Sequence, residues 1–172
     1  MLTPKRCGIG GIALGTLQIP PGGLPILMIP LASILPGTKC LLTDLPEAIE
    51  LLDHNISNTG LTSSRVDCAV LDWEKTLSEP IKAMRFDLII ISDCTYNCDT
   101  VPSLVNTLLS LLAISPSAIV LVSMKTRHDS EAIFFDLVSS RRLTQLHYAS
   151  VRMPGYDGSL IDVYLYKSPT SG

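Results

Sequence analysis

The stretch FDLIIISDCTY, Phe86 to Tyr96, decides how this chain folds. Leu88 to Ile91 run apolar without alternation, which predicts a strand buried on both faces. Asp93 and Tyr96 follow at its end. An aspartate is a good turn former, and that alone accounts for a loop here. Ligands of open α/β sheets, however, bind outside the carboxyl ends of the strands. The end of this strand is therefore a candidate site.

Strand and helix alternate on both sides of it. Lys39 to Thr43 predicts a strand closed by Asp44. Pro46 suits a first helical turn, and Glu47 to Ile56 continue it with Ala48, Ile49, Leu51, Leu52 and Ile56 on one face. Val66 to Leu71 reads as a strand ending at Asp72 and Trp73. Val101 to Ala113 predicts a helix, Ala118 to Val122 a buried strand, and Ser130 to Ser139 a further helix. Leu143 to Val151 and Leu160 to Tyr166 close the chain as strands, with turn chemistry between them in MPGYDG, Met153 to Gly158. That connection is too short for a parallel crossover, so the last two strands should be antiparallel. The expected fold is α/β, a mainly parallel sheet with helices on both faces. Asp44, Asp72 and Asp93 then share one rim.

At 172 residues the chain has the size of one domain with a substantial core. A hydrophobic content of 47% against 17% charged excludes a disordered chain. A net charge of −3 without a Lys/Arg cluster argues against nucleic acid as partner; Arg141-Arg142 reads as a solvated helix end. Cys7, Cys40, Cys68, Cys94 and Cys98 have neither disulfide-scaffold spacing nor the second pair that zinc requires, and His54, His128 and His147 are scattered. No metal is expected, and the free thiols suit a reducing compartment.

Residues 1–36 read as an irregular N-terminus and 37–167 as the regular core of a single domain. No charged residue occurs from Cys7 to Thr38, just after Lys5-Arg6, the pattern of a leader or anchor. Pro20, Pro21, Pro25, Pro30 and Pro36 break any helix there, so no membrane association is expected.

Four motifs in order carry a resemblance: CGIGG at Cys7 to Gly11, TDLPEAIELLDHN at Thr43 to Asn55, LDW at Leu71 to Trp73, and DCTY at Asp93 to Tyr96. MKTRHDSEAIFF, Met124 to Phe135, continues it; Arg127 within it reads as a solvated or rim residue. Together they resemble the seven-stranded methyltransferases that use S-adenosyl-L-methionine, specifically the protein-lysine N-methyltransferases with a D-x-x-Y motif. The resemblance implies a Rossmann-like sheet and a cytoplasmic enzyme, with the nucleus also open, that methylates a lysine of a non-histone protein. It implies cofactor binding by Gly8, Gly10, Asp44, Asp72, Trp73 and Asp93, with Asp44 on the ribose hydroxyls and Asp72 and Trp73 at the adenine. Asp93 and Tyr96 would be catalytic, orienting the amine and offering a ring face to a cation.

The front of the chain departs from that pattern. Where the family has a V-L-E-L-G strand leading into its glycine loop, Met1 to Arg6 stand here. The sheet is therefore expected to miss or replace its first, central strand. Ile12 to Gly23 reads as an insertion in a truncated or alternatively spliced product, with a tolerated surface loop as the competing reading, and Pro25 to Ile29 as a candidate substitute strand. Two other function classes stay open: an inactive methyltransferase-like remnant that acts at most by binding, and a small-molecule, nicotinamide-type N-methyltransferase. Oligomeric state is not legible.

Overall fold

A computed structural model describes residues 12–16, 38–58, 65–125, 129–152 and 160–168. The strands are β1 (Ile12–Thr16), β2 (Lys39–Asp44), β3 (Val66–Val70), β4 (Leu88–Ser92), β5 (Ile119–Met124), β6 (Thr144–Arg152) and β7 (Leu160–Lys167). The helices are α1 (Pro46–Ser57), α2 (Glu79–Lys82), α3 (Val101–Ile114) and α4 (Asp129–Ser140). One sheet has the order β3-β2-β1-β4-β5-β7-β6.

β2 pairs parallel with β3 and β4 with β5, while β7 runs antiparallel to both β5 and β6. The expected terminal antiparallel pair is present. The centre differs from expectation. Ile12–Thr16 fills the central slot and runs antiparallel to β2 and to β4, with Ile12 opposite Ile91 and Ala13 opposite Leu42. The slot is replaced rather than empty, and part of the stretch read as an insertion is its strand. Five residues with unpaired neighbours on both sides complete two ladders at once, which a surface loop would not. Pro25 to Ile29 and the MPGYDG turn lie outside the described residues. Because β1 and β7 are the reversed strands, β2 to β6 share one direction, and Ile12 opens β1 at the rim where β2, β3 and β4 end.

The two faces of the sheet are unequally built. Ile89 and Ile91 of β4 and Val120, Val122 and Met124 of β5 turn to the face covered by α2, α3 and α4. α3 buries Val101, Leu104, Val105, Leu108, Leu111 and Leu112, the three-to-four spacing of one helical stripe. On the other face Leu88, Ile90, Leu121 and Val163 pack with Cys40, Val66 and Ile56 of α1. α1 starts at Pro46, whose missing N–H is lost at no cost in the first turn, with Glu47 beside the positive helix end. Leu51, expected on its apolar face, is 63% exposed. At 100° per residue it stands about 140° from Ile56, off the stripe. Among the described residues no helix is long and apolar enough to cross a membrane.

Candidate functional site

The carboxyl ends of β2, β3 and β4 meet at a cleft of about 620 Å³, open to solvent. It is lined by Thr43, Asp44 and Leu45 after β2, by Leu71 to Glu74 after β3, and by Tyr96, Asn97 and Thr100 after β4. Four residues singled out in the sequence, Asp44, Asp72, Trp73 and Tyr96, thus come together.

Asp44 is the last residue of β2. Its C=O accepts the Leu71 N–H at 2.9 Å, which locks the β2 and β3 ends side by side. Its Oδ1 accepts the N–H of Leu45 at 2.8 Å. The helix N-cap is Leu45, so Asp44 does not cap α1 in the usual way, by reaching the second or third helical N–H. Burial raises the Asp44 pKa above its ordinary value; the Leu45 N–H opposes the shift and Glu47 adds to it. A carboxylate held partly out of water at a strand end suits hydroxyl donors, which restore its lost solvation.

Asp72 lines the cleft beside Trp73 and also shapes its own turn. Its Oδ1 accepts the Glu74 N–H at 3.0 Å and its Oδ2 meets Lys75 Nζ at 3.0 Å. Both oxygens fold the turn that presents Trp73, so its first task is shaping that turn. Trp73 packs against the larger core cluster and lines the cleft with its remaining surface.

After β4 the chain makes one sharp turn. Asp93 has φ 51°, a left-handed conformation that few non-glycine residues adopt, aspartate among the more tolerant. Its N–H still extends the β4–β5 ladder, donating to the Ser123 C=O at 2.9 Å. The turn then inverts exposure along the loop. Cys94 and Thr95 are buried, Cys94 donating its thiol proton to the Ser92 C=O at 3.2 Å and the Thr95 hydroxyl approaching Met124 Sδ at 3.8 Å. Burial pushes the Cys94 thiol up to about 12, so it is a core group and no nucleophile. Asp93 and Tyr96 remain exposed. Tyr96 lines the cleft; Asp93 is on the adjoining rim but not among the lining residues.

Gly8, Gly10 and Arg127 lie outside the described residues. Glu74, Asn97 and Thr100 are cleft residues outside all four motifs, and Thr43, Leu45 and Leu71 line it from within motifs that assigned them no role. Asn97 carries the one signal that could have found it: an Asn two residues before Asp99, whose N–H its Oδ1 accepts at 2.9 Å, an Asx turn legible from composition. Among the described residues no cluster of His, Cys, Asp and Glu could hold a metal ion.

The donor set fits a nucleoside with a cationic centre. It offers a half-buried carboxylate for ribose hydroxyls, an indole for a flat base and a phenol ring for positive charge. Comparison with known proteins agrees at the level of family and fold. The lysine methyltransferase family matches residues 6–141. The N-methyltransferase NodS from Bradyrhizobium japonicum WM9 in complex with S-adenosyl-L-homocysteine superposes with a TM-score of 0.56 at 13% identity, over 75% of this chain and 66% of NodS. A second NodS structure gives 0.52 at 12% identity, over 74% and 72%. The chain thus spans roughly two thirds of NodS. No curated protein matches it.

Proposed function

This chain belongs to the lysine methyltransferase family, whose cofactor is S-adenosylmethionine, and from that membership we propose that it methylates a lysine amine of a protein substrate. The observation that carries the reading is the convergence of Asp44, Trp73 and Tyr96 on one cleft at the sheet rim. Asp44 would hold the ribose hydroxyls, Trp73 with Leu71 and Leu45 would flank the base, and Asp93 and Tyr96 would receive the amine. The cofactor, when bound, supplies an electrophilic methyl group on a sulfonium. The chain's own part is alignment: holding two reactants in line can lower a barrier by about 7–11 kcal/mol in favourable cases. The ammonium loses its proton to solvent before the reaction; the neutral amine then forms the N–C bond as the S–C bond breaks, leaving a thioether and a methylammonium, so a rim carboxylate at Asp93 would orient the N–H bonds and face the cation that forms.

One observation favours a second reading, a chain that binds without catalysing. The central strand runs opposite to both neighbours, so the backbone arrives at the rim from the other direction than in the family pattern. Transfer from tritiated S-adenosylmethionine into lysate from cells lacking the protein separates the readings. Label on lysines of one or few proteins supports the enzyme. Label on small molecules supports a nicotinamide-type substrate. No label, with cofactor binding intact, supports the binding-only chain.

A further inference from the structure

α3 touches both walls of the cleft. At its N-terminus the Asn97 C=O accepts the N–H groups of Thr100 and Val101, each at 3.2 Å, and the Thr100 hydroxyl at 3.2 Å, which fastens the Tyr96 loop to the helix. Two turns further on, the Thr107 hydroxyl donates to the Trp73 C=O at 3.3 Å, across 34 positions of sequence. A hydroxyl inside a helix ordinarily bonds back to the carbonyl four residues earlier. Ser110 of the same helix does so, donating to the Asn106 C=O at 3.0 Å. Thr107 instead reaches off its helix to the backbone of the opposite wall, and it is buried, at 4% exposure. The Trp73 carbonyl thereby gains a partner from a buried side chain in a part-buried hydrogen bond.

We propose that Thr107 is a positioning residue for cofactor binding: through the Trp73 carbonyl it fixes the indole that would flank the base, and so sets the width of the cleft between Trp73 and Tyr96. The inference rests on the reading of the cleft as a cofactor site. Nothing in the four sequence motifs reaches Thr107, which lies on a helix outside all of them.

The test uses the full chain and S-adenosylhomocysteine, with Thr107→Val to remove the hydroxyl at constant shape, Thr107→Ala to remove it without bulk, and Thr107→Ser to keep it. Binding is measured by calorimetry well below the melting temperature of each variant. The Val and Ala variants are expected to bind about threefold to tenfold more weakly, the loss of one neutral hydrogen bond, with the Ser variant close to wild type. Trp73 is the only tryptophan, so its emission reports the same event without ligand: Val and Ala should increase acrylamide quenching and Ser should not. If the chain methylates, KM for the cofactor rises while kcat at saturation stays within about twofold. A Val or Ala variant that is folded and binds as wild type overturns the inference alone, as does a Ser variant that fails to rescue. Wild-type chain that binds no S-adenosylhomocysteine overturns the cofactor reading and the inference with it.

Discussion

The turn after β4 and the turn after α4 contain the two described non-glycine residues with positive φ, Asp93 at 51° and Arg142 at 59°. Their backbones are alike; their uses are not. Arg142 closes a helix: its N–H donates to the Ser139 C=O at 2.9 Å, and the Leu143 N–H to the Val138 C=O at 3.2 Å. That pair of bonds is the Schellman stop, and Leu143 and Val138 are both buried in the larger core cluster, the contact that usually accompanies it. Glycine is the residue such a position prefers. Asp93 stands where a buried strand ends beside a cleft, and its conformation lets Cys94 and Thr95 plug the core while Asp93 and Tyr96 stay at the surface. In the turn after α4 the strained residue serves the fold and a glycine would serve better. In the turn after β4 an aspartate side chain stands at a backbone cost, the pattern expected where strain sits at a functional site.

The largest effect expected from this contrast is on methyl transfer by Asp93→Gly. Glycine accepts φ 51° without a Cβ clash, so stability should stay within about ±0.5 kcal/mol, since aspartate already tolerates the conformation. Transfer should nonetheless fall by about 10²-fold, the scale of lost alignment, while affinity for the cofactor changes much less. Denaturant melts and a radiolabel assay on one preparation check both halves. A variant equally stable and equally active would make Asp93 a second Arg142.

Asp44 supplies an intermediate effect with its own sign. Burial raises its folded pKa above the unfolded value, so its contribution to stability is full at low pH, where it is protonated, and is lost as pH rises through the folded pKa. At neutral pH the charged form costs stability. Asp44→Asn should therefore melt no lower than wild type at pH 7 yet bind S-adenosylhomocysteine more weakly. Wild-type affinity should fall on acidification from a higher pH than an ordinary aspartate would give, and the Asn variant should lack that fall. Thermal melts and titrations between pH 4 and 8 read it.

Much of this was legible in the sequence, and the misses have physical causes. β4 and β5 are uninterrupted apolar runs, and α3 is a clear stripe, so burial dictates them locally. IALGT, Ile12 to Thr16, has no such signal: its place at the centre of the sheet is fixed by the open edges of β2 and β4, partners far along the chain. α2 is too short for periodicity. In the site, Asp44, Trp73 and Tyr96 were legible because each follows a recognisable strand. Asn97 and Thr100 line the cleft through the turn into α3, and the contacts by which Asp72 shapes its own turn are set by the folded backbone.

The smallest effect belongs to Arg142→Gly. Relief at φ 59° outweighs glycine's greater chain entropy, and stability should rise by about 0.5–1 kcal/mol with transfer and cofactor affinity unchanged. Urea unfolding resolves a change of that size. A loss of activity there would dissolve the distinction between the two turns.

Titration of S-adenosylhomocysteine into the folded 172-residue chain, beside Asp44→Ala, tests the central claim most directly. The cleft as a cofactor site predicts saturable heat from the wild-type chain and an affinity lower by about 1–3 kcal/mol in the variant, the cost of leaving the ribose hydroxyls without their acceptor. Absence of heat at millimolar ligand, from chain shown to melt cooperatively, would contradict it.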